Sequence, residues 1–224
     1  MLKDILKKIK PLRVIYSKFM AYRNLKHMKH NLNTNGKTVF SEFIQICCNH
    51  GIKVWLCYGT LLGYIRENGI MKHDYDFDVG LWFEDYTKEF EDELKIKGFK
   101  LIHQFTGMNG YQAFEQSYEK NGVSIDLFYH FCDEKQIWTH VFHREPDTDL
   151  PQDKWLVRKL PFTRAEFKKI DFMGIEAYVP SNSEQYLEET YGKNWRVPDK
   201  NFDWKKGPQK DSLLPGVLGK AEFF

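Results

Sequence analysis

The sequence predicts an α/β domain preceded by a basic helical segment. Three observations carry that expectation. Stretches with helical apolar spacing alternate with short strand-like runs. Tight-turn pairs such as Asn121-Gly122 separate those runs. The length of 224 residues and the 42% hydrophobic content suit one domain with appendages better than two domains.

Residues 1–32 form the lead-in. Leu2, Ile5, Leu6 and Ile9 recur at helical spacing among lysines, Pro11 breaks or kinks the pattern, and polar Asn31 to Gly36 ends it as a turn. The basic face suits either contact with an anionic membrane through residues 1–30 or a solvated surface. The main domain occupies residues 33–200. Val39, Phe40, Phe43, Ile44 and Cys47 make the apolar stripe of a helix over Lys37 to His50, closed by Gly51. Ile52 to Tyr58 reads as a buried strand, and Thr60 to Glu67 as a short helix starting just after a Gly59-Thr60 turn. Free N–H groups at such a start favour a phosphate, and Arg66 lies on the same helix. Asp85 to Lys97 is an amphipathic helix. Phe99 to Phe105, Tyr111 to Tyr118 and Val123 to Tyr129 are strands, and Gln136 to Phe142 is a further one. Lys169 to Phe172 and Ile175 to Val179 form a hairpin. Ser181 and Glu184 form a capping box before a helix ending at Gly192. Residues 201–224 are an extension that wraps the surface or lacks fixed structure.

Composition excludes several classes. A net charge of +2 is too small for a nucleic-acid binder. Cys47, Cys48, Cys57 and Cys132 lack metal-finger spacing and read as buried thiols in a reducing compartment. No run is long and apolar enough to span a membrane, so the expected location is cytoplasmic. His130, His140 and His143 lack a ligand framework and read as ordinary surface or supporting histidines.

The chemistry concentrates between Tyr58 and Gly80. Asp74, Asp76 and Asp78 alternate, and the last two lie on a strand-like segment, Asp76 to Trp82. Alternation puts Asp76 and Asp78 on one face, roughly 6–7 Å apart. Two carboxylates so placed repel unless a cation lies between them, and a hard divalent ion such as Mg²⁺ is the usual solution. A solvated strand face is the plain alternative, but Asp is depleted in strands and Leu81, Trp82 and Phe83 are too apolar for a free edge. Asp126 stands alone in the apolar run Val123 to Tyr129, where an unpaired carboxylate is costly. It is the natural third acid, unless it pairs with a nearby Lys or caps a turn. His73, beside Asp74, is the histidine expected near the site.

The Gly59-Thr-Leu-Leu-Gly63 run, Arg66, and Asp74-x-Asp76-x-Asp78 resemble the LicD-type phosphotransferase family, which includes fukutin and fukutin-related protein. Tyr75 replaces the middle acid of that family's triple Asp run, and His73 stands where Trp is common. Ser124-Ile125-Asp126-Leu127-Phe128 resembles the family's later acidic strand. Leu187 to Gly192 with Trp195, Arg196 and Pro198 resembles its closing signature. The resemblance covers roughly Val39 to Pro198.

The resemblance implies a nucleotidyltransferase-like (polymerase-β-like) mixed sheet flanked by helices. It implies transfer of a phospho-alcohol, such as phosphocholine or ribitol phosphate, from a CDP-linked donor to a sugar hydroxyl, with release of CMP. The acceptor would be a cell-surface glycan (teichoic acid, lipopolysaccharide or capsule), often lipid-linked. Asp76, Asp78 and Asp126 would be catalytic and would hold Mg²⁺, with Mn²⁺ the alternative, and Asp126 is also a candidate proton acceptor. Gly59, Thr60, Arg66, His73 and Asp74 would bind substrate, and Trp195 and Arg196 are pocket candidates. Two other readings stay open: a nucleotidylyltransferase that releases pyrophosphate, and a non-catalytic glycan- or membrane-associated module.

Overall fold

The computed structural model describes residues 10–145 and 148–224, with side chains from residue 23 onward. The stripe Leu2, Ile5, Leu6 and Ile9 lies outside the described residues. The described chain is α/β, with four α-helices and a ten-stranded mixed sheet.

Helix α1 spans Lys10–Asn49, so the expected turn at Asn31–Gly36 is not made; Pro11 lies in the first described turn, and the chain before Lys10 lies outside the described residues. The reason is tertiary. Leu32 and Gly36 continue the stripe of Phe40 and Phe43 one and two turns further back, and a Cβ on Gly36 would lie 3.4 Å from the Phe77 ring. Glycine here is a close-contact position in the helix, not its end. The polar residues find partners across the molecule, with Asn35 Nδ2 donating to Asn121 O at 3.0 Å. The helix ends as anticipated, with Gly51 at φ 70° and the Ile52 N–H closing back on Cys47 O at 2.9 Å.

Strand β1 is only Trp55–Leu56, and helix α2 runs over Tyr58–Glu67. Gly59 and Thr60 therefore lie in the first turn of α2 and not before it. Strand β2 is Asp76–Trp82, α3 is Lys88–Ile96, β3 is Lys100–Gly107, β4 is Phe114–Lys120 and β5 is Val123–Cys132. The β4–β5 turn has Asn121 at φ 52° and Gly122 at φ 74°, the left-handed pair that an Asn-Gly hairpin needs. Strands β6 (Gln136–His143), β7 (Lys154–Thr163), β8 (Phe167–Phe172) and β9 (Ile175–Pro180) follow. Helix α4 is Ser183–Tyr191 and β10 is Leu213–Phe223. The capping box is not formed: Asn182 is the N-cap without a side-chain cap, and Glu184 pairs with Arg196 at 2.6 Å instead.

The strand order is β4-β3-β10-β7-β6-β5-β2-β1-β9-β8, and β4 also pairs with β5. That extra pairing closes β3, β4, β5, β6, β7 and β10 into a six-stranded ring, from which β2, β1, β9 and β8 extend. Two cores result. Phe77, Val79, Leu81, Ile125, Leu127 and Tyr129 pack beneath α1 and α3 in the larger one. Phe105, Ala113, Phe142, Val157 and Ala221 form the smaller, inside the ring. The C-terminal tail is thus neither a surface wrap nor loose, since β10 sits between β3 and β7. Pro215 and Gly216 fall within its register shift, and a Cβ on Gly219 would lie 2.4 Å from the Phe142 ring. These residues disguise a strand whose irregularity fits a bulge and a tight ring interior.

Candidate active site

The site grows from two parallel strands. In β2 and β5, Asp78 is the register partner of Asp126, and Asp76 of Ser124. Phe77 and Val79 turn to the large core, so Asp76 and Asp78 share the other face with Asp126. On β4, Ser117 is the register partner of Asp126, and on β3, His103 is the partner of Ser117. A row Asp78–Asp126–Ser117–His103 therefore crosses four strands. Ser117 Oγ donates to Asp126 Oδ1 at 2.5 Å.

Helix α2 locks onto this row from the other side. Gly59 N–H donates to Asp78 Oδ2 at 2.9 Å, while Asp78 N–H donates to Thr60 Oγ1 at 2.7 Å. A Cβ on Gly59 would lie 2.9 Å from Asp78 Oδ2, so only glycine permits this approach. Tyr58 takes φ 42° to swing the chain into the turn, an uncommon conformation for an aromatic residue.

The carboxylates stand in a medium that disfavours their charge. Burial raises Asp76 from an ordinary 3.8 to about 7, and repulsion from Asp126 and Asp74 adds to it. Asp78 is raised well above the usual range by burial, then by Asp76 and Asp126, with the Gly59 N–H opposing. Burial also raises Asp126 against the Ser117 hydrogen bond and His103. Asp74 rises to about 6, chiefly through burial, with His73 opposing. No Lys or Arg forms an ion pair with Asp76, Asp78 or Asp126 among the described residues.

This donor set is chemically suited to a hard divalent cation: oxygen ligands only, mutual repulsion, and no Lys or Arg paired with Asp76, Asp78 or Asp126 among the described residues. Among the described residues no three His, Cys, Asp or Glu side chains already stand around one point at metal-holding geometry. Asp78 Oδ2 and Asp126 Oδ1 are each engaged by a hydrogen bond from the protein.

A cavity of about 430 Å³ opens beside the acids, lined by Gly59, Asp76, Asp78, Glu115 and a set of aromatics. Tyr75, Phe202 and Trp204 form its lip at 39%, 37% and 42% exposure, amounts that suit a ligand-facing wall better than core packing. A larger cleft of about 520 Å³ between α1 and the β8–β9 hairpin holds Lys53 and Glu176 without an acidic cluster. The chemistry therefore favours the smaller cavity.

The structure brings together Asp76, Asp78, Asp126 and Gly59, with Asp74 beside them. Thr60 is buried, and its hydroxyl serves the Asp78 backbone. Arg66 and exposed His73 both favour the ionised form of Asp74. Trp195 is not brought to the cavity: it is 4% exposed in the large core, with Arg196 4.2 Å over its ring. The three histidines are not on the surface. Burial holds His130 near 3 and His140 near 4, both neutral, and His143 is buried too. Of the cysteines, Cys47 and Cys57 are buried but Cys48 and Cys132 are exposed, all as free thiols. Ser117, Glu115, Phe202 and Trp204 were not singled out by the sequence, and Tyr191 entered only within the closing signature. The alternation of Glu115 and Ser117 on β4 was the one available signal.

Comparison with known proteins agrees with the motifs. Residues 51–182 match the family described as LicD/FKTN/FKRP, nucleotidyltransferase domain. The chain is 30% identical over 159 residues to the mouse ribitol-5-phosphate transferase FKTN, covering 70% of this chain and 32% of that protein. It is 28% identical over 152 residues to the human ribitol 5-phosphate transferase FKRP, 63% of this chain and 28% of that protein. An uncharacterized protein of Rickettsia prowazekii is 28% identical over 149 residues, with 66% and 50% covered. The chain spans about a third of the length of the FKTN relatives it matches. With the family match extending over more than half of its residues, this chain belongs to the LicD family.

Proposed function

We propose that this protein transfers a phospho-alcohol from a CDP-linked donor to a sugar hydroxyl of a glycan, releasing CMP. The observation that carries the reading is the register of Asp78 with Asp126, which aligns the acids of β2 and β5 on one face beside a cavity. The names of the FKTN and FKRP relatives make ribitol phosphate the first alcohol to test, ahead of phosphocholine.

Asp76, Asp78 and Asp126 would hold Mg²⁺, with Mn²⁺ the alternative, which when bound offsets the charge of the donor pyrophosphate. The chain's own groups prepare that site. Gly59 N–H and Ser117 Oγ orient Asp78 and Asp126, much as outer hydrogen bonds orient metal ligands elsewhere. The bare Cα of Gly59 admits the Asp78 carboxylate close to the backbone. Arg66, on α2, adds positive charge on the Asp74 side. Tyr75, Phe202 and Trp204, at the lip of the cavity, would flank the nucleotide or the acceptor. The sheet about β2 and β5, with α2 against it, is read as the nucleotidyltransferase-like unit within residues 33–200. We assign residues 1–30 to contact with an anionic, cytoplasmic membrane face, although no helix among the described residues is long and apolar enough to cross a membrane.

The test is CMP release from CDP-ribitol, CDP-choline, CDP-glycerol and CDP-ethanolamine, with and without Mg²⁺. Metal-dependent CMP from one donor, lost in Asp78→Asn, is expected. Pyrophosphate from a nucleoside triphosphate without CMP from any donor would establish nucleotidylyl transfer instead. Absence of metal-dependent binding of every CDP-alcohol would overturn the enzymatic reading.

A further inference from the structure

We propose that Glu115 is the general base that takes the proton from the attacking hydroxyl, with His103 as its outlet to water. The inference rests on the transfer reading above and adds a residue to it.

The argument begins with what the three aspartates cannot do together. A carboxylate that shares its charge with a cation is a poor base. Asp126, the earlier candidate, also has Oδ1 committed to Ser117. A fourth carboxylate lies nearby. Glu115 is two residues before Ser117 on β4, on the same face, and is the register partner of Phe128 on β5. It lines the same cavity as Asp76 and Asp78, yet lies one pleat away from the row that contains Asp126. That offset suits a group acting on the incoming nucleophile rather than on the metal.

Its environment is unusual for a structural carboxylate. Glu115 is 9% exposed, and Oε2 is buried with no hydrogen-bond partner among the described residues. Buried carboxylates used for scaffolding are normally satisfied, as Glu91 is by Tyr86, Lys88 and Lys95. The one ion pair of Glu115 among the described residues is a long contact, Oε1 to His103 Nε2 at 3.8 Å. His103 is partly open to water on β3. The pair therefore connects the cavity wall to solvent.

Burial raises the Glu115 pKa, with His103 opposing, the charge of Asp126 reinforcing and the Phe142 N–H opposing. The shift is in the direction a base working near neutral pH requires. In the step itself, the hydroxyl proton moves to a Glu115 oxygen as the hydroxyl oxygen bonds the outer phosphorus of the donor. The bond between that phosphorus and the bridging oxygen breaks, and its electron pair leaves with CMP. The proton then passes through His103 to water.

The test uses the full chain with Mg²⁺ and CDP-ribitol, water serving as acceptor, alongside calorimetric binding of CDP. Glu115→Gln is expected to bind CDP within about threefold of the parent and to release CMP at least roughly 100-fold more slowly. Formate should restore at least about tenfold of the lost rate to Glu115→Ala and leave the parent unchanged. Parental turnover in Glu115→Gln overturns the assignment. So does a rate loss matched by lost CDP binding, or a folded Glu115→Ala that formate fails to rescue, since each marks a structural role. If Glu115→Ala does not fold, Glu115→Gln alone decides. A parent that neither releases CMP from any donor nor binds one in a Mg²⁺-dependent way defeats the transfer reading and the base with it. A parent that turns over beside an unimpaired Glu115→Gln defeats only the base.

Discussion

Replacing Asp76 by Asn should stabilise the metal-free protein while abolishing its turnover. Burial and the charges of Asp126 and Asp74 lift the Asp76 carboxyl from 3.8 to about 7. The folded state therefore holds a proton that the unfolded chain has already released. Stability must fall as pH rises from about 4 to about 7, with the penalty complete above that range. Each tenfold change in proton affinity is worth about 1.4 kcal/mol, so a fully buried group would lose roughly 4 kcal/mol. Asp76 is partly open to water, and half of that, about 2 kcal/mol, is a reasonable expectation once solvent screening is allowed for. In a chain of this size it corresponds to a rise in Tm of about 4–8 °C. The assay is thermal unfolding in EDTA at pH 4 and pH 8. Asp76→Asn should melt higher than the parent at pH 8 and level with it at pH 4. Millimolar Mg²⁺ should raise the parent at pH 8 and the variant much less. A variant that melts at or below the parent at pH 8 in EDTA, or gains equally at both pH values, would refute the reasoning.

Ser117→Ala removes the hydroxyl that orients Asp126, and Mg²⁺ affinity, read from metal-dependent CMP release, should fall about 10–100-fold. Gly59→Ala puts a methyl 2.9 Å from Asp78 Oδ2, so turnover should fall at least about 100-fold through displacement of Asp78, with a circular dichroism spectrum like the parent's. Trp195→Ala should cost about 3–5 kcal/mol in denaturant unfolding through loss of a buried ring. Arg196→Ala, which breaks an exposed pair with Glu184, should cost under about 1 kcal/mol and leave the KM for donor unchanged. Truncation after Lys200 removes β10 and opens both β3 and β7; the product should be insoluble, as judged by its partition on centrifugation, because two interior strands become edges.

Local chemistry was enough to find the acids. Alternation on a strand put Asp76 and Asp78 on one face, and the cost of burying a lone carboxylate drew attention to Asp126. Backbone preferences were equally local, which is why Gly51 and Asn121-Gly122 behaved as their types predict. Where the reading failed, a distant partner had overruled a local preference. Asn31 to Gly36 looks like a turn until Phe77 and Asn121 are set against it. Pro215, Gly216 and Gly219 look like a loose tail until β3 and β7 flank them and the ring interior demands small residues. Ser117, Glu115 and Trp204 carry no motif, and they join the site only through strand register and the path of the C-terminal segment. Side-chain type and spacing thus singled out the acidic cluster, because charge, burial cost and turn geometry act within a few residues. The neighbours that tune that chemistry were chosen by sheet closure, which depends on pairings between strands far apart in the chain.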